Sequence, residues 1–128
     1  MDGDNDVYMM LFSGGSEVLL GRSGSHVGKA LVKVGRSNDP RRRLGEVNSG
    51  FPKSSLHRWK LDRTQKFPDG KTPHELEDIV KREFDKEFVS QGGEFFTGDL
   101  ERLRSRFQDI CISRLPKILG APGKAKGV

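Results

Sequence analysis

Apolar and polar positions alternate along this chain at two different periods. Residues 7–12, VYMMLF, are rich in strand formers and stop at SGG. A period of two sets Val7, Met9 and Leu11 on one face, and Tyr8, Met10 and Phe12 on the other. Residues 17–20, EVLL, admit a short extra strand. The Gly- and Ser-rich residues 21–29 predict a mobile loop. Alternation resumes over residues 30–36, with Ala30, Val32 and Val34 opposite Leu31 and Lys33. A third strand, SLHRWKL, falls within residues 54–65 and sets His57, Trp59 and Leu61 on one face.

Helical spacing takes over elsewhere. Asp39-Pro40 fits an N-cap followed by a first-turn proline, which has no N–H to lose there. That helix runs to about Asn48 and buries Leu44 and Val47. PDGKTP reads as a turn. In the T-P-H-E that follows, Thr72 can cap, Pro73 can start the helix and Glu75 can reach back in a capping box. Leu76, Ile79, Val80, Phe84 and Phe88 then form a stripe. QGGEFF breaks the pattern. A last helix begins near Asp99 and carries Leu100, Leu103, Phe107, Ile110 and Cys111. The order β, β, α, β, α, α predicts an α+β fold, a small sheet covered by helices. A disordered N-terminus over residues 1–6, one domain over 7–113 and a basic flexible tail over 114–128 are expected.

Composition narrows the function. The 128 residues suit one compact domain. Lys and Arg outnumber Asp and Glu, 23 to 18, which favours a polyanionic partner such as nucleic acid. The single cysteine excludes an intramolecular disulfide and a zinc cluster of Cys type. It falls on a helix stripe and reads as core. The start MDGDNDVYMM lacks the basic and apolar regions of a signal peptide. No apolar run approaches the ~18 residues of a membrane span. A cytoplasmic protein with no membrane partner is expected. No motif speaks for an oligomer.

Several stretches invite chemistry. GSHVGKA suggests a phosphate loop, but Ser23 stands where that loop requires Gly and Ala30 where it requires a hydroxyl. His26, His57 and His74 lack metal-ligand spacing and read as surface or half-buried side chains. VKVGRSNDPRRRL is more informative. It places three arginines behind a strand, a turn and a helix cap. A guanidinium suits phosphate because its planar fork makes two hydrogen bonds at once. Successive helical residues lie about 100° apart, so the three cannot share one phosphate. Arg43, beside Leu44, lies next to the buried stripe. Arg41 and Arg42 face water or a nucleic-acid backbone. Arg58 and Lys60 flank Trp59, itself read as core, and offer a second basic contact. A plain solvated helix end remains the rival reading of the three arginines, and a core aromatic the rival reading of Tyr8.

On a helical wheel the stripe from Leu76 to Phe88 spans about 180°, and Glu77 falls inside it. A carboxylate there is costly unless paired or metal-bound. Glu83 and Glu87 share the arc, so periodicity alone does not select Glu77. Glu94 reads as pairing with an arginine to fix its loop. Arg102, Arg104 and Arg106 read as a solvated face.

Asp6-Val7-Tyr8, Lys33-Val34-Gly35, GRSNDPRRRL, ELEDIVKREF and GEFF stand in this order over residues 6–107. In these motifs the chain resembles the GIY-YIG nuclease superfamily, in its phage-type branch with a Lys-Ile-Gly-like second motif. The resemblance implies a small antiparallel three-stranded sheet flanked by helices and a metal-dependent DNA endonuclease. It assigns Tyr8 to activating water, Arg43 to stabilising the transition state and Glu77 to holding one Mg²⁺ or Mn²⁺. Lys33 takes the place of the second-motif tyrosine, as a base, a phosphate contact or a strand residue. Gly35, Asn38 and Glu94 are expected to support the site. Departures are Lys33 itself, Asp6 in place of a glycine, and a longer Tyr8-to-Lys33 spacing. They keep open a catalytically inactive nucleic-acid-binding module of the same fold. A protein-interaction domain using the Gly/Ser loop is a third reading. DNA is expected over RNA as the partner.

Overall fold

A computed structural model of the chain describes residues 6–67 and 71–118. In chain order the elements are β1 (Asp6–Phe12), α1 (Ser16–Leu20), β2 (Ala30–Ser37), α2 (Pro40–Asn48) and β3 (Trp59–Lys66). Then come α3 (Lys71–Glu87), β4 (Val89–Ser90), β5 (Phe95–Gly98) and α4 (Leu100–Ile118). The class is α+β. The sheet, however, has five strands rather than three, in the order β3-β1-β2-β5-β4, with every neighbouring pair antiparallel. The two added strands flank the QGGEFF segment, read from sequence as a break: β4 ends just before it and β5 begins within it. There Gly92 and Gly93 adopt φ of 105° and 56°, which turns the chain from β4 into β5. β4 has two residues, too few to show a period.

Other boundaries move for local reasons. Residues 16–20 form a helical turn and not a strand. Asp6, expected in a disordered terminus, opens β1, is buried and pairs with Lys66 at 3.1 Å. Residues 1–5 lie outside the described part. α4 runs to Ile118, past the expected domain end at 113, and residues 119–128 of the expected tail also lie outside. β3 begins at Trp59, so His57 precedes the strand and lies instead near the Phe12 ring, at 6.2 Å. α3 begins at Lys71, which puts Thr72 inside the helix and not at its cap. Residues 68–70 of the expected turn are not described.

The sheet buries both faces, and the alternation decides what goes where. Val7, Met9, Val32, Val34 and Phe96 meet the apolar stripes of α3 and α4. Tyr8, Met10, Phe12, Leu31 and Trp59 form the other face, covered in part by Leu44 and Val47 of α2. Cys111 lies in the first core, where burial pushes its thiol up to about 12 and leaves it unreactive. A bulge in the β1–β3 pairing leaves Asp62 without a partner in the ladder. Arg104 of α4 donates to that carboxylate through Nε and Nη2, at 2.8–3.2 Å. The arginines of α4 are therefore not a plain solvated face. Arg106 pairs with Glu83 and Glu87, and Arg102 lies over the Phe88 ring. Among the described residues no helix is long and apolar enough to cross a membrane.

Candidate active site

The register of β1 and β2 builds the centre of the site. Gly35 lies opposite Tyr8, and Lys33 lies two pairs further along, on the same face and opposite Met10. A Cβ at Gly35 would sit 2.5 Å from Tyr8 Oη and 2.7 Å from its Cζ. Only glycine lets the Tyr8 ring lie across β2 at this point. The hydroxyl thereby points toward α2, where the Arg43 guanidinium acts on it. Helix α2 is set by its cap: Asp39 Oδ1 accepts from Arg42 N at 3.1 Å, and Pro40 follows in the first turn. That start leaves Arg43 half-buried toward the sheet, with Arg41 and Arg42 exposed. Arg43 Nη1 also donates to Glu46 Oε1 at 3.0 Å, which fixes the guanidinium from its outer side.

Burial raises the Tyr8 hydroxyl above the ordinary tyrosine value, Arg43 pulls it back, and the charges of Glu94 and Glu77 raise it further. At neutral pH Tyr8 is thus a protonated donor beside a guanidinium. Glu46, and after it Tyr8, raise the already high Arg43.

Two carboxylates close the other rim. Glu77, on α3, is 7% exposed. Its Oε1 accepts from Arg36 Nε at 2.9 Å, and its Oε2 is 2.8 Å from Lys81 Nζ. Glu94 enters from the turn before β5. Its Oε1 takes the Lys33 ammonium, and its Oε2 is 3.7 Å from Lys81 Nζ. Burial acts to raise Glu94, but Lys33, Lys81 and Arg43 outweigh it and hold the carboxyl below its ordinary value. Glu94 therefore pairs with lysines, where an arginine was expected. Lys33 is itself buried, 5.9 Å from the Tyr8 ring centre and 5.5 Å from that of Phe95.

Tyr8, Lys33, Gly35, Arg43, Glu77 and Glu94 thus come together in one neighbourhood. The other sequence candidates sit outside it. Arg42 bonds Glu46 and the Asn38 side chain, at 3.0 and 3.1 Å, so Asn38 acts on the helix surface. Arg58 donates to the Pro52 carbonyl at 3.1 Å, and Lys60 is exposed on the edge strand β3. His57 and His74 are exposed. His26 is buried within its loop, its ring 2.7 Å from the Gly21 carbonyl. Sequence reasoning missed Arg36, Glu46 and Lys81. Lys81 follows Glu77 by one helical turn, and that spacing alone could have flagged it.

No group of three or more His, Cys, Asp or Glu suited to a metal ion occurs among the described residues. A closed zinc-type cage is therefore not available there. Magnesium needs less, commonly one or two carboxylates with water and substrate phosphate completing its shell. Glu77 fits that requirement as a single buried carboxylate at the edge of a site. Both its oxygens already face cations, so a metal would have to share or replace one of them.

The family model described as the T5orf172 domain matches residues 18–111. The matched segment holds Lys33, Gly35, Arg43, Glu77 and Glu94, while Tyr8 on β1 precedes it. No curated protein and no solved structure matches the chain. On a match over most of its length, the chain belongs to the T5orf172 domain family, a phage-associated, endonuclease-related group whose members are nuclease-like or DNA-binding modules.

Proposed function

We propose that this protein is a GIY-YIG-type endonuclease that hydrolyses a DNA phosphodiester bond with one Mg²⁺ or Mn²⁺ held at Glu77. One observation carries the reading: the Tyr8 hydroxyl, laid across Gly35, meets Arg43 within range of the Glu77 and Glu94 charges. A phosphoryl group in this neighbourhood would meet the Arg43 fork, which matches two of its oxygens and stabilises the charge that grows in the transition state. Tyr8 donates its hydroxyl in a hydrogen bond that positions the attacking water, and the proton this water loses on attack passes to solvent. Held by Glu94 beside the Tyr8 ring, Lys33 serves as a phosphate contact. The metal, when bound, supplies a Lewis acid for the leaving oxygen. Glu94 holds Lys33 in place, and exposed Arg41, with Arg42, Arg58 and Lys60, offers contacts to the DNA backbone.

A plasmid-nicking assay with Mg²⁺ or Mn²⁺ tests the reading. Metal-dependent nicking lost in Arg43→Ala and Glu77→Ala is the expected result. Equal background in all three proteins overturns it. One observation favours a second reading, a nucleic-acid-binding module without cleavage: Glu77 is already matched by Arg36 and Lys81. That module would bind DNA in a salt-sensitive way and show no metal-dependent cleavage.

A further inference from the structure

Lys81 has no part in the reaction outlined above, yet it stands where that reaction needs room. Its Nζ contacts Glu77 Oε2 at 2.8 Å and lies 3.7 Å from Glu94 Oε2. The outer oxygens of the same two carboxylates hold Arg36 and Lys33. Charges therefore alternate along the row Arg36, Glu77, Lys81, Glu94, Lys33. An exposed helical pair one turn apart contributes little and needs one partner. This lysine instead reaches two carboxylates on different elements, one of them 7% exposed. A buried carboxylate needs a counter-charge in every state of the site, including the one without metal. Lys81 provides one from the rim. Its side chain is 26% exposed, against 5% for Lys33, and its flexible stem can swing.

We propose that Lys81 is a built-in occupant of the metal position, which yields Glu77 Oε2 to an incoming divalent cation and moves onto Glu94. The inference rests on Glu77 being the metal ligand. An ammonium and a metal ion cannot occupy the same side of one carboxylate oxygen, so the two compete. The 3.7 Å gap to Glu94 Oε2 gives the displaced ammonium a partner without crossing the site. Once there, it shares Glu94 with Lys33. Filling the metal position thus loosens the ion pair that holds Lys33 and releases that lysine toward phosphate.

Binding of Mn²⁺ to the full chain without DNA, read from the resonance of free Mn²⁺, tests this apart from any cleavage. Lys81→Met is expected to bind Mn²⁺ about tenfold more tightly than wild type, and Lys81→Gln to tighten it in the same direction. Lys81→Arg, which keeps a cation in place, should stay close to wild type. Lys86→Met removes the same charge from the same helix, where Lys86 pairs with Glu83, and should leave the affinity unchanged. Equal affinity in wild type, Lys81→Met and Lys81→Gln overturns the inference but leaves Glu77 as ligand. Equal tightening by Lys86→Met overturns it too, as an effect of net charge. No Mn²⁺ binding in wild type or in either Lys81 variant, or binding unchanged in Glu77→Gln, overturns both the inference and the reading beneath it.

Discussion

Tyr8 is the only tyrosine of the chain, so its ionisation can be followed alone by ultraviolet absorbance. Burial and the two carboxylates raise it, and Arg43 opposes them. The midpoint should lie above the ordinary value of about 10 and rise further in Arg43→Ala. The linkage has a definite sign. Above pH 10 the unfolded chain has lost the proton that folded Tyr8 still holds, so the unfolded state binds fewer protons. The contribution of Tyr8 to stability is present below pH 10 and is lost as pH rises through the folded value. Gly35→Ala should push the ring off β2, cost about 1–3 kcal/mol by overcrowding and shift the same absorbance titration. A melting curve beside the titration checks both. The sequence made Tyr8, Arg43 and Glu77 legible through ordered motifs, and the reason for Gly35 only through pairing. Spacing could have paired Lys81 with Glu77, but Arg36, like Lys81's reach to Glu94, was hidden because cations near carboxylates read as ordinary surface charge. The Arg36–Glu77 pair and the approach of Lys81 to Glu94 exist only once α3 has packed on the sheet.

At the scale of elements, the long periodic segments were readable and the short ones were not. α3 has 17 residues and a continuous stripe, so its core face followed from spacing. Strand β4 has 2 residues and β5 has 4, and pairing of β5 with β2 and of β4 with β5 decides them where local pattern cannot. The same holds for residues 16–20, where one helical turn and a short strand present similar apolar patterns. Phe84 is fully buried and meets Phe88 and Phe96 edge-on. Phe84→Ala should destabilise by about 3–5 kcal/mol in chemical denaturation. The α4 clamp predicts a smaller effect. Arg104→Ala leaves the Asp62 carboxylate with Arg63 at 3.6 Å as a weaker partner, and should cost about 1–3 kcal/mol.

The whole molecule joins a basic surface to one compact cluster of opposite charges. Excess positive charge, +5 by formal count, draws the chain to a polyanion but says nothing of what it does there. DNA affinity should fall linearly with salt on logarithmic axes, and Arg41→Ala should reduce that slope by about 1. The chemistry we propose belongs to the cluster, where motif order and geometry bring together Tyr8, Arg43 and Glu77. Single-turnover nicking of supercoiled plasmid by wild type and Tyr8→Phe tests that claim most directly, because the substitution removes one oxygen and keeps the ring over Gly35. The account predicts nicking that requires Mg²⁺ or Mn²⁺, stops with chelator, and slows at least about 100-fold in Tyr8→Phe. Nicking by Tyr8→Phe at the wild-type rate, or no metal-dependent nicking by wild type, would contradict it.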